Sequence, residues 1–281
     1  MPGPSASMQR MRKKTVLVCA ASLLCAAALA FFFLLPDPEP FALPGWIHGT
    51  PIYIAHSGGS IDGEPYTHSL EAVNASVAAG FRFIELDLYV TADNDIAALH
   101  DIGRFREMTG YRGPEEELTA AAVKSLSLLG RYTPLVSKDI NELFADKRLF
   151  FVADKKIPPQ LLLERFTIDR ERMLVEVFSY ADYVEALRKG IRYPMLSMPE
   201  ERHFTRNKLL LLTGKIAMVT TKAKLVREQP EMLRWLREKG IIVFASTIND
   251  PDFASRHLGT SIDGIYTDVL TPPSAISGAS Q

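Results

Sequence analysis

The chain has 281 residues, 47% of them hydrophobic, and a formal net charge of −1. That length suits one large domain or two small ones, and near-neutral charge without a basic block excludes a nucleic-acid footprint. Both cysteines, Cys19 and Cys25, lie in one N-terminal apolar run, so the remainder forms neither an internal disulfide nor a thiolate metal site.

Residues 1–14 are a basic N-terminus carrying Arg10, Arg12, Lys13 and Lys14. Residues 15–35, TVLVCAASLLCAAALAFFFLL, hold no charge, and about 20 apolar residues span a bilayer as a helix. The run therefore reads as an uncleaved transmembrane anchor. Its basic flank stays in the cytoplasm and sends everything after Pro36 across the membrane. A removed signal is the alternative, with Ala28-Leu29-Ala30 as a cleavage site, but it would leave FFFLL as a greasy new end. Residues 36–50 open on PDPEPFALPG, a proline-rich stretch that predicts a stiff, extended spacer.

From Pro51 onward one unit repeats: a helical pattern ends in Gly and an apolar, β-rich run begins at once, as in SVAAG-FRFIEL, ALRKG-IRYPML and WLREKG-IIVFAS. Gly after a last turn suits the left-handed position beyond a helix, and Lys or Arg before it suits the helix's negative end. Strands are predicted over 52–56, 81–90, 148–154, 172–179, 191–196, 215–221, 241–246 and 263–268. Eight alternating β and α units imply a parallel sheet, and in this length a closed (β/α)8 TIM barrel over 51–272, with a flexible tail over 273–281. An open doubly wound sheet is the main alternative, but no Gly-rich phosphate loop follows the first strand. The stretch 103–147 exceeds one connection and is expected to carry an inserted loop plus the helix SKDINELFADK.

The second strand, FRFIELDLYV, carries two acids. Alternation puts Glu85 and Asp87 on one face with Phe81, Phe83 and Tyr89. Two carboxylates held together in a partly apolar setting repel unless one takes a proton or both meet a cation. Active residues of such barrels sit at strand C-termini. Those ends bring His56 after strand one, Glu85 and Asp87 on strand two, and Asp154 with Lys156 after strand three. A short extended return after the turn TADND adds His100 and Asp101. Carboxylates without thiols suit one hard divalent cation, Mg2+ or Ca2+, which lets Glu85 and Asp87 stay ionised together.

IAHSGG followed by YTHSLEAVNASVAAGFRFIELDLYVTADNDIAALHD resembles the front half of the glycerophosphodiester phosphodiesterases, and VADKK, ASTIND and DGIYTDVL resemble that family's later markers. The resemblance implies a (β/α)8 barrel that cleaves phosphodiesters with one divalent cation. By position it makes Glu85, Asp87 and Asp154 the metal ligands, His56 and His100 the acid–base pair, and Lys156 a phosphate contact. The chain departs from the family in three places. Ser57 stands where an arginine usually grips phosphate, Thr67-His68-Ser69 stands for Glu-Asn-Thr, and Asp154 for a glutamate. Because serine cannot offer a bidentate fork, the expected substrate is a larger, lipid-linked or polymeric phosphodiester near the membrane rather than a simple glycerophosphodiester.

Three functions follow from these residues: a metal-dependent hydrolase acting on glycerophosphodiesters or related phospholipid or polymer head groups, a phospholipase D-type lyase forming a cyclic phosphate, or a non-catalytic, membrane-tethered phosphodiester-binding barrel. Retention of two histidines beside three acids argues against the last. His68 either joins the site or opens a helix, and Glu176 either lines the mouth or makes a rim salt bridge. Asp101 supports the His100 imidazole or its loop.

Overall fold

A computed structural model of the chain describes residues 34–38, 51–154 and 157–273. The chain divides into two units, Met1–Asp37 and Pro38–Gln281. Of the first, only Leu34 to Asp37 are described, in a short turn and irregular chain. The anchor expected over 15–35 thus lies, but for Leu34 and Leu35, outside the described residues, as do most of the spacer and tail. Among the described residues no helix is long and apolar enough to cross a membrane.

The second unit holds nine strands: β1 Ile52–Ala55, β2 Phe83–Val90, β3 Ile96–Ala98, β4 Phe150–Asp154, β5 Met173–Val177, β6 Tyr193–Ser197, β7 Met218–Lys222, β8 Ile242–Ser246 and β9 Gly264–Thr267. All pair in parallel except β3, which runs antiparallel to β2. The order β1-β9-β8-β7-β6-β5-β4-β2 is closed by β1 pairing with β2. Closure decides between the two topologies: this is an eight-stranded parallel barrel, and the open sheet is excluded. The observed β2 starts at Phe83. Phe81 precedes it and packs in the outer core, away from the face of Glu85 and Asp87.

Strand alternation builds two cores. Every barrel strand sends at least one side chain inward: Ile52 and Ile54, Phe83, Phe150 and Val152, Leu174, Tyr193 and Met195, Met218, Phe244, and Tyr266. The opposite faces, with Ile84, Leu86, Phe151, Val175, Val219 and Val243, meet the surrounding helices through residues such as Val73, Tyr183, Phe204 and Leu236. A large apolar side chain moved from water into such a core contributes about 1.5–3 kcal/mol. The floor of the barrel is tight. A Cβ on Gly264 would stand 2.8 Å from Phe244 Cδ1 and 2.9 Å from the Ile52 carbonyl oxygen, so only glycine lets β9 seat between β1 and β8.

The helix–Gly–strand units form as their spacing predicts. In the helix Tyr180–Lys189, Ser179 accepts from the Asp182 amide at the start, and Gly190 ends it in the left-handed region at φ 94°. The stretch 103–147 departs from expectation. It carries three helices, Ile102–Thr109, Ala120–Lys124 and Ser137–Leu143, and Phe105, Leu118, Val123 and Tyr132 close a small core of their own against Ala97 and Leu99 near β3. Thr119 and Asp101 cap the short helices that make this satellite possible. Glu115–Glu117 form a single 3-10 turn rather than a helix start.

Candidate active site

The inward faces change character along their length. Apolar at the floor, they end at the C-terminal mouth in His56 after β1, Glu85 and Asp87 on β2, Asp154 on β4, Glu176 on β5, Thr220 on β7, and Asp268 after β9. Period-two alternation extended by one or two residues past the apolar layer is all this requires.

Register places the acids. Glu85 lies beside Val152, and Asp87 beside Asp154, on adjacent parallel strands. Glu85, Asp87 and Asp154 each present a carboxylate oxygen within 4.8 Å of the others. Glu85 is 1% exposed. Its Oε2 accepts the Ser57 amide at 2.7 Å, while Oε1 is buried without a hydrogen-bond partner. Burial, then the charges of Asp87 and Asp154, push the Glu85 carboxyl well above its usual range. A divalent cation among these oxygens would meet the orphaned Oε1 and remove the repulsion, and an all-carboxylate set suits such an ion. The residues therefore fit the cation.

Two imidazoles flank the acids. His56 begins a short 3-10 turn, His56–Gly58, and its Nδ1 lies 2.8 Å from Asp268 Oδ1. Asp268 also accepts from Asn249 Nδ2 at 2.7 Å. Burial works to raise the Asp268 carboxyl, but the His56 and Asn249 hydrogen bonds outweigh it and hold the group below its usual value. The antiparallel return brings in the second imidazole: the Leu99 amide donates to the Asp87 carbonyl at 3.0 Å, so His100 stands next to the top of β2. Its Nδ1 is 2.6 Å from Asp101 Oδ2. Asp101 serves both expected purposes, since its Oδ1 also accepts the Arg104 amide and caps the helix that follows. With Nδ1 held by a carboxylate, each histidine is left with Nε2 for proton transfer.

Four features were not legible beforehand. Asp268 is the first. The second is Tyr66, whose ring stands edge-on to His56 at 4.8 Å and to His100 at 6.1 Å, between the two imidazoles. Burial, then the nearby Asp268 carboxylate, raise its phenol and keep it protonated. The third is the buried Ser57, whose backbone amide steadies Glu85 while its own Oγ is enclosed without a hydrogen-bond partner. The fourth is the setting of Glu176: it faces inward, accepts from Thr220 Oγ1 at 2.6 Å, and is pushed up to about 7 by burial and then by Asp154. His68 precedes the helix Leu70–Ala78, which Ser69 caps, and its side chain turns into the site, with Nε2 3.2 Å from Asp87 Oδ2. Burial lowers its pKa. Lys156 lies outside the described residues.

Fold and site together define a (β/α)8 barrel equipped for proton transfer beside a carboxylate cluster at its C-terminal mouth. Residues 56–185 match the glycerophosphoryl diester phosphodiesterase family. The chain belongs to that family, and is by that membership a phosphoric diester hydrolase. No curated protein matches it in sequence. Solved structures share the fold. A glycerophosphodiester phosphodiesterase from Thermotoga maritima is 20% identical with a TM-score of 0.61, over 79% of this chain and 96% of that one. A phosphodiesterase from Oleispira antarctica, solved with the product sn-glycerol-3-phosphate, is 16% identical with a TM-score of 0.63, over 79% and 95%. A glycerophosphoryl diester phosphodiesterase from Parabacteroides distasonis is 19% identical with a TM-score of 0.60, over 78% and 83%.

Proposed function

We propose that this hydrolase is metal-dependent, cleaves glycerophosphodiesters or a related phospholipid or polymer head group, and uses His56 and His100 as its acid–base pair. The observation that carries the reading is the pair of aspartate-bound imidazoles on either side of the Glu85–Asp87–Asp154 cluster. Glu85, Asp87 and Asp154 would hold the cation, which, when bound, supplies neutralisation of charge growing on the phosphoryl oxygens.

The chain's own groups do the rest. One imidazole, unprotonated at Nε2, takes the proton of the attacking hydroxyl. The other, protonated there, returns a proton to the leaving alkoxide, and each transfer is worth roughly 10²–10⁴-fold. Asp268 and Asp101 fix the ring orientations and favour the imidazolium that each histidine becomes in turn. Tyr66 fills the space between the rings and limits water there. Supporting the choice of substrate, sn-glycerol-3-phosphate is the product bound by the Oleispira antarctica phosphodiesterase of the same fold. A lipid-linked or polymeric substrate accords with the anchor proposed over 15–35, which would hold the barrel on the extracytoplasmic side.

The test is an assay of the full chain, stripped with chelator, against glycerophosphodiesters and lipid-linked phosphodiesters with and without Mg2+ and Ca2+. Cleavage that returns only with added cation is expected, and a cyclic phosphate product would identify the lyase instead. Equal cleavage in excess chelator would overturn the metal reading, and no cleavage of any phosphodiester would overturn the activity.

A further inference from the structure

We propose that His68 is itself a ligand, giving the cation a nitrogen donor beside its three carboxylates. The site would then favour a borderline transition cation such as Mn2+ over Mg2+ and Ca2+. This rests on the cation reading above and goes beyond it in the donor set and the ion.

His68 is 2% exposed, and neither of its ring nitrogens has a hydrogen-bond partner. A buried polar group left so costs about 1–3 kcal/mol. Yet the ring is not stranded in apolar surroundings: Nε2 points at the acid cluster, 3.2 Å from Asp87 Oδ2. That separation lacks the alignment of a hydrogen bond. It suits two donor atoms that share one ion, since cis ligands at metal distances of roughly 2.1 Å stand about 3 Å apart. The position is also fixed from both sides in sequence. The His68 amide donates to the Ser57 carbonyl at 3.2 Å, and the Ser57 amide holds Glu85 Oε2 at 2.7 Å. One short stretch of backbone therefore sets both Glu85 and the imidazole relative to Asp87.

The chemistry follows from the donor set. Mg2+ and Ca2+ take oxygen almost exclusively, whereas imidazole suits transition ions, whose affinities for nitrogen rise above those of the alkaline earths. The competing role for His68 is to orient Asp87 by a hydrogen bond without touching the ion, which would leave the preference among cations unchanged.

The experiment uses the full chain, freed of metal with chelator and titrated with Mn2+, Mg2+ and Ca2+, with pulsed electron paramagnetic resonance of the Mn2+ form. The expected result is coupling to a directly bound imidazole nitrogen that changes character on 15N-histidine labelling. This reading needs no variant. In His68→Asn the coupling should vanish and Mn2+ affinity fall by about 10–100-fold, with Mg2+ affinity moving by much less. Mn2+ bound without nitrogen coupling overturns the inference and leaves the cation reading standing, as does coupling that persists in His68→Asn. An equal loss for Mn2+ and Mg2+ makes His68 a positioning residue and overturns it too. If the wild-type chain binds none of the three ions, both readings fall.

Discussion

The two histidine–aspartate pairs look alike on paper and are built in opposite ways. His56 and Asp268 are 212 positions apart and meet because β1 and β9 lie side by side, with Ala55 in register with Thr267. His100 and Asp101 are chain neighbours on the loop beyond β3. The first pair is enclosed, with side chains 15% and 11% exposed; the second is open, at 43% and 52%. Asp268 is braced by Asn249, whose Oδ1 in turn accepts the Asp268 amide at 2.8 Å. Asp101 is braced only by the helix it caps. Charge interactions weaken as water enters, so the enclosed pair is the strongly coupled one and the open pair exchanges protons with solvent more freely.

That contrast can be broken most directly by removing the rings. His56→Ala and His100→Ala should each lower turnover by about two to four orders of magnitude, with cation binding retained, as read by kcat and by metal titration. If both variants keep near-normal rates, neither pair does the proton work.

A finer comparison comes from the aspartates. Asp268→Asn should lower kcat by about 10–100-fold with little change in KM, because the amide no longer favours the imidazolium at His56. Asp101→Asn should cost only a few-fold, its partner being solvated and asparagine still able to cap the helix. Equal losses in the two variants would show that enclosure does not separate the pairs. Asp101→Ala removes the cap as well, and should lower local stability by about 1 kcal/mol, visible as faster amide exchange over Ile102–Thr109.

The smallest effect concerns Glu176, on the strand that faces the enclosed pair across the mouth. Its carboxyl is pushed up to about 7 from 4.5, so the folded state binds its proton more tightly than the unfolded one does. Its contribution is therefore complete below the unfolded value and declines as pH rises toward 7. In metal-free protein Glu176→Gln should match the wild type at pH 4 and melt a few degrees higher at pH 8. A variant less stable at pH 8 than the wild type would reverse that sign.

Much of this was readable in the sequence, for reasons that differ by residue. The eight barrel strands were legible because each is a buried run bounded by helical patterns ending in Gly. Glu85 and Asp87 stood out because period two is rigid and places them together without knowledge of any other strand. His100 was found through the turn at 93–95, again a local signal. Asp268 escaped notice because its significance depends on ring closure, a contact that local pattern does not encode. Tyr66 sits in an irregular segment with a positive φ of 61°, where alternation gives no guide to direction. The satellite helices between 102 and 143 are short, and their caps were overlooked in favour of a loop.

Closure between the first and last strands also sets when the protein can act. His56 leaves the ribosome near the start of the barrel, and Asp268 follows only after every other strand has been made. Until β9 enters between β8 and β1, the enclosed imidazole has no carboxylate, whatever else has folded. A chain truncated before Asp268, or one still being threaded through a membrane, would carry the acid cluster and both histidines and yet lack a working proton pair at His56. Completion of synthesis is thus written into the chemistry, and the nascent hydrolase stays silent toward the lipids it passes.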